Sequence, residues 1–156
     1  MELTHLNPEG EAHMVDVGAK ADTHRVAEAR GVVKMNSEAY EAIVRGNLKK
    51  GDALGAARIA GIMAAKRTSD LIPLCHPISL TRVDVQCAAL DGCIEISARV
   101  ECAGKTGVEM EALTAVSVAA LTVYDMAKAI DRGMTINDIH LTYKAGGKSG
   151  EFRSQS

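Results

Sequence analysis

Aromatic residues are scarce in this sequence: three Tyr, one Phe and no Trp among 156 residues. A platform that stacks the bases of single-stranded nucleic acid needs such rings, so none is expected. Strong charge of one sign is also missing. Lys and Arg number 18 against 20 Asp and Glu, a formal charge of −2, whereas a duplex-DNA binder is usually basic overall. A small anion held by a local basic cluster stays open. No uninterrupted apolar run reaches the roughly 18 residues of a bilayer span, so no membrane partner is expected. The four cysteines, at 75, 87, 93 and 102, form no CxxC pair, which leaves no zinc or dithiol signature and no protein-held metal. The polar opening MELTHLNPEG has no secretory pattern, and reduced thiols in the cytoplasm are the expectation.

What is present is a globular composition, 47% hydrophobic and 24% charged. The length suits one domain over 1–156. Residues 1–13 are polar, carry Pro8 and Gly10, and are read as a flexible arm. Residues 145–156 are read as a mobile, glycine-rich basic tail. The core must come from Ala, Val, Ile, Leu and Met, and small residues allow close helix packing or a shared subunit interface.

Short strands are expected over 13–17 and 25–35. Asn36 or Ser37 can cap a helix ending near Gly46, and Asp52 can cap another running to about Thr68. Gly55 and Gly61 weaken that second helix, so close packing is the expected compensation. Pro73 and Pro77 disfavour helical geometry at Ile72 and His76, which makes 70–79 a stiff extended loop. Alternation with period two over 82–87 and 94–102, broken by Asp91-Gly92, predicts an antiparallel hairpin. A helix is predicted over 107–130. It has no charge from Ala112 to Tyr124, so burial on all sides is expected, in part against another subunit. In a last strand over 136–143, Ile139, Leu141 and Tyr143 point one way and His140, Thr142 and Lys144 the other. Helices between antiparallel strands make an α+β sandwich with helices on one face of a sheet.

Chemistry could reside in a few groups. Asp125 and Lys128 share a helix face, as a plain surface pair or as part of a site. Glu111 lies on that face too, but about 21 Å away along the axis. One small site cannot hold both ends of a helix, whereas ends of symmetry-related helices could meet. His76 is either a loop histidine bonded to backbone or a proton-transfer group. Adjacent Cys75 is a poor dyad partner, because neighbours on an extended chain point opposite ways. Lys49 and Lys50 precede a helix N-terminus, which reads as a solvated turn or as a phosphate cradle. The tail Gly146-Gly147-Lys148-Ser149-Gly150 lacks the spacing and context of a phosphate loop. An enzyme acting on a phosphorylated metabolite and a noncatalytic nucleotide-binding module both fit these residues.

Several longer motifs occur in one order: His13-Met14-Val15-Asp16-Val17, Ala57-Arg58-Ile59-Ala60-Gly61-Ile62, Ala65-Lys66-Arg67-Thr68, Asp70-Leu71-Ile72-Pro73-Leu74-Cys75-His76-Pro77, Thr106 to Thr114, Tyr124-Asp125-Met126 and the tail from Lys144. With them the chain, from about residue 3 to 153, resembles the cyclic pyranopterin monophosphate synthase family of molybdenum cofactor biosynthesis. The resemblance implies a ferredoxin-like α+β fold. It implies a homohexamer, a trimer of dimers, with active sites at subunit interfaces. The implied substrate is 3′,8-cyclo-7,8-dihydro-GTP, converted to cyclic pyranopterin monophosphate with release of pyrophosphate. Asp125, Lys128 and Lys50 match catalytic positions. Leu74, Cys75, His76, Met110 and Glu111 match a substrate-binding stretch, Asp16 and Arg25 lie near the substrate, and Lys144 and Lys148 match the basic tail. No cofactor is required by these residues, and a divalent ion accompanying the polyphosphate is compatible with them. The rival readings are a noncatalytic nucleotide-binding homologue and an oligomeric scaffold of the same fold.

Overall fold

The computed structural model describes residues 4–155. Five antiparallel strands form one sheet in the order β2-β3-β1-β4-β5. They are β1 (Thr23–Lys34), β2 (Leu80–Leu90), β3 (Cys93–Gly104), β4 (Thr135–Ala145) and β5 (Phe152–Arg153). The helices α1 (Ser37–Arg45), α2 (Ala53–Lys66) and α3 (Thr68–Leu71) lie between β1 and β2, and α4 (Glu109–Ala127) lies between β3 and β4.

The local signals explain most boundaries. The Asn36 side chain accepts from the Ala39 amide at 2.9 Å, and Gly46 ends α1 in the left-handed region. Asp52 accepts from the Gly55 amide at 3.0 Å and so caps α2. The β2–β3 hairpin closes with Leu90 opposite Cys93, and both Asp91 and Gly92 have positive φ. That is the conformation a two-residue hairpin turn requires.

One face of the sheet carries the core. Ile94, Ile96, Ala98, Val100 and Cys102 of β3 are buried, as are Ala27, Ala29 and Val33 of β1. Against them lie Ala112, Ala115, Val116, Ala119, Ala120 and Val123 of α4, all fully buried. Gly31 makes the approach possible, since a Cβ there would stand 2.8 Å from a Val116 methyl. The other face is a lattice of paired charges, including Arg99 to Glu28 at 2.5 Å, Arg82 to Glu101 at 3.3 Å, and Arg30 to Glu95.

Several expectations need correction. Residues 13–17 form no strand. They lie apart from the sheet's hydrogen-bonded ladder, and an extended segment without a ladder partner is not a strand. The loop expected over 70–79 begins only at Ile72, because Asp70 and Leu71 belong to α3, closed by the Ile72 amide on the Thr68 carbonyl at 2.9 Å. The last helix is two to three residues shorter at each end than predicted. It is long and apolar enough by composition to cross a membrane, yet it is a core helix packed on β1, β3 and β4. Its burial is also incomplete: Leu121 is 58% exposed, and Ile59 and Met63 of α2 are exposed apolar residues as well.

The most consequential correction is in β4. Leu141 pairs with Ala29 but Tyr143 pairs with Glu28, so Thr142 is an extra residue, a β-bulge. An extra residue reverses the facing of everything beyond it. Tyr143 therefore joins Glu28 on the charged face, and Lys144, opposite Ala27, turns to the helix side of the sheet.

Candidate active site

Two groups of polar residues form, one at each end of α4. At its C-terminal end, Asp125 sits in the last turn. Lys128 Nζ reaches Asp125 Oδ1 at 3.0 Å, and Lys50 Nζ reaches Oδ2 at 3.0 Å. Lys50 also donates to the Asp125 carbonyl at 3.3 Å. That carbonyl is one of those a helix C-terminus leaves without an intrahelical partner, and an ammonium there suits the helix dipole. Hydrogen bonds from Lys128 and then Lys50 hold the Asp125 carboxyl below the usual carboxylate range. Asp125 is thus an ionised hub that fixes two ammonium groups. All three side chains are about half exposed, so the cluster opens to whatever docks there. The Lys50 placement matches neither spacing-based reading, solvated turn or phosphate cradle at the start of α2: its ammonium is bonded at the end of α4.

At the N-terminal end lies a cavity of about 260 Å3, lined by Leu74, Cys75, His76, Met110 and Glu111 among others. His76 Nε2 lies 2.5 Å from the Val15 carbonyl. A carbonyl only accepts, so Nε2 carries the hydrogen. This bond fixes the ring and ties the 72–79 loop to the N-terminal segment. Burial and the nearby Glu111 carboxylate push the Cys75 thiol up, so it is a poor nucleophile. Glu111, only 4% exposed, is pushed up to about 7, chiefly by burial, against a bond to its own backbone that acts the other way. Among the described residues no cluster of His, Cys, Asp and Glu is arranged to hold a metal ion.

A larger cavity, of about 810 Å3, adjoins the first through Lys20, Thr106, Gly107 and Glu109, which line both. Arg25, Lys144 and Lys148 give it a basic wall. The β4 bulge is what brings Lys144 there. Arg25 is braced, with Nε on the Gly104 carbonyl at 2.8 Å and Nη2 on the Lys105 carbonyl at 3.2 Å. The tail folds back as β5 and lays Gly147 on this guanidinium, where a Cβ would stand 2.1 Å from Nη1.

Of the residues matched to substrate binding, only Asp16 lines neither cavity. Its Oδ1 accepts from the Gly18 amide at 2.8 Å in a local turn. Sequence reasoning missed Glu109 and Lys20, which line both cavities. Glu109 stood in the quoted 106–114 motif, in the first turn of a helix, whereas nothing in the sequence around Lys20 singled it out.

The MoaC family model matches residues 14–147. A cyclic pyranopterin monophosphate synthase of Thermomicrobium roseum is 61% identical over 156 residues, covering 99% of this chain and 94% of the relative. One of Novosphingobium aromaticivorans is 60% identical over 153 residues, 98% of each chain. One of Peptoclostridium acidaminophilum is 58% identical over 156 residues, covering 100% of this chain and 99% of the relative. With near-complete coverage at that identity, and a family model spanning most of its length, the chain belongs to the MoaC family.

Proposed function

We infer that this chain acts as a cyclic pyranopterin monophosphate synthase. In this reading it converts 3′,8-cyclo-7,8-dihydro-GTP to cyclic pyranopterin monophosphate with release of pyrophosphate, a phosphorus–oxygen lyase step of molybdenum cofactor biosynthesis. The observation that carries the reading is the Lys50–Asp125–Lys128 cluster, a set that binding alone would not need, in a chain about 60% identical to synthases end to end. Opening the purine and reclosing it as a pterin needs several proton transfers, which Lys50, Lys128 and Asp125 serve. A sugar hydroxyl then attacks the α-phosphate, and cations stabilise the departing pyrophosphate. His76, Lys144 and Lys148 face or border the joined cavities and hold that polyphosphate. Arg25, with two of its donors on carbonyls, contributes charge and shapes the wall. Any divalent ion arrives with the polyphosphate rather than residing in the protein.

The assembly in this reading is a homohexamer, a trimer of dimers, with each site built from two chains. Strands β1 to β4 with their intervening helices follow the βαββαβ order of ferredoxin-like domains. The two polar groups lie about 21 Å apart on one α4, so a site using both draws them from different subunits. The exposed apolar residues Ile59, Met63 and Leu121 supply surface for that contact. Four unpaired cysteines fit a cytoplasmic location.

The test is an anaerobic assay with 3′,8-cyclo-7,8-dihydro-GTP, following pyrophosphate and the pterin product. Turnover by the native chain and none by Asp125→Ala is expected. No turnover by folded native oligomer would instead favour a noncatalytic homologue. Light scattering should report six subunits, and a stable monomer at micromolar concentration would overturn the shared-site arrangement.

A further inference from the structure

Resting on that reading, we propose that Glu111 does more than hold substrate: its buried carboxyl is the proton donor at the N-terminal end of α4, giving its hydrogen to a nitrogen or oxygen of the substrate's base ring as that ring opens. The geometry carries this. Glu111 sits in the first turn of α4 and is almost fully buried, yet it forms part of the cavity wall beside Leu74, Cys75 and His76. No ion pair or cross-chain hydrogen bond claims its side chain among the described residues. A carboxyl at a helix N-terminus would normally be favoured as its anion by the dipole. Here desolvation outweighs the dipole and the local backbone bond, and the group is pushed up to about 7.

The groups around it supply no bonded counter-ion. On α4 itself Glu109 adds a second negative charge. The 72–79 loop contributes the Cys75 thiol and the His76 ring, whose Nε2–H is spent on Val15. The end of β3 contributes the Cys102 thiol, with Arg25 beyond it. Lys20 and His5 stand across the cavity. None of these is a cation bonded to the Glu111 oxygens. The contrast with Asp125 assigns the roles: an exposed carboxylate held ionised by two ammonium groups at one end, a buried carboxyl with raised proton affinity at the other. The separation of proton affinities is what distinguishes a base from an acid among paired carboxyls. The step balances with one water: its oxygen adds to the carbon, the bond from that carbon to the ring heteroatom breaks with the electron pair left on the heteroatom, that atom takes the Glu111 proton, and the proton released by the added water returns to the carboxylate.

The experiment is a pH–rate profile of the full-length protein from about pH 5.5 to 9, comparing native with Glu111→Gln and Glu111→Asp. The native rate should fall as pH rises through about 7. Glu111→Gln keeps the shape and the neutral charge but has no acidic proton. It should lose on the order of 100-fold in kcat, change KM by less than about threefold, and lose the descending limb. Glu111→Asp should recover part of kcat and restore the limb. A purely structural Glu111 would tolerate Gln, and a native kcat and profile in that variant would overturn the proposal. If the native chain does not turn over, the failure belongs to the proposed function. The carboxyl is then followed by 13C NMR: titration near 7 supports the donor assignment, and titration near the ordinary carboxylate value overturns it.

Discussion

Lys128→Ala is expected to lower kcat on the order of 10^3-fold while leaving fold and assembly unchanged, because a positioned acid/base group contributes about that much. Lys128 lies 3.0 Å from Asp125 Oδ1, and Lys50 holds the other oxygen at the same distance. Both lysines are about half exposed, and exposed ion pairs add little to stability. The thermal midpoint of the variant should therefore stay where it is, which separates a chemical loss from a folding loss. Lys128→Arg sharpens the point. It keeps the charge and the ion pair but does not exchange a proton near neutrality. Recovery by Arg would make Lys128 an electrostatic anchor, failure would make it a proton carrier, and native activity in the Ala variant would remove it from the mechanism.

Gly61→Val is expected to cost on the order of 3 kcal/mol of stability, read as a shift in the denaturation midpoint. Gly61 lies where α2 crosses α4. A Cβ there would stand 2.9 Å from the Ala115 carbonyl and 3.2 Å from both Val85 methyls. The carbonyl belongs to the backbone of α4 and cannot swing aside, so the helices must part. Gly61→Ala sets two effects against each other: about 1 kcal/mol gained in helix propensity and about 1 to 3 lost to overpacking. A small net loss is expected for Ala and a large one for Val. Because α4 carries a polar group at each end, parting the helices should also reduce turnover before it unfolds the chain. A Val variant as stable as the native protein would mean that the crossing is not this close.

How much of this was legible in the sequence follows from which forces were local. Asn36 and Asp52 as caps, Gly46 as a terminator and Asp91-Gly92 as a turn act within a few residues, so their elements could be read directly. Alternation marked β3 and its buried face, and the charge-free stretch from Ala112 to Tyr124 marked the central helix. The motifs of the resemblance supplied the family and named most of the residues that the fold gathers in the two polar groups, and the compensation expected for Gly61 is its contact with α4. Other features depend on partners far along the chain. Nothing local says that Lys50 reaches across 75 residues to Asp125 rather than serving its own helix. Residues 13–17 alternate like a strand, but pairing decides strands, and they lie outside the ladder. The extra residue at Thr142 obeys no local rule. It is fixed by which residues of β1 lie opposite, and it places Lys144 on the helix side of the sheet, in the cavity that Arg25 also lines. The chemistry of the carboxyls was likewise undetermined by residue type. Asp125 is held ionised by two ammonium groups brought to it by packing, and the proton affinity of Glu111 is raised by burial, which only the assembled core can impose.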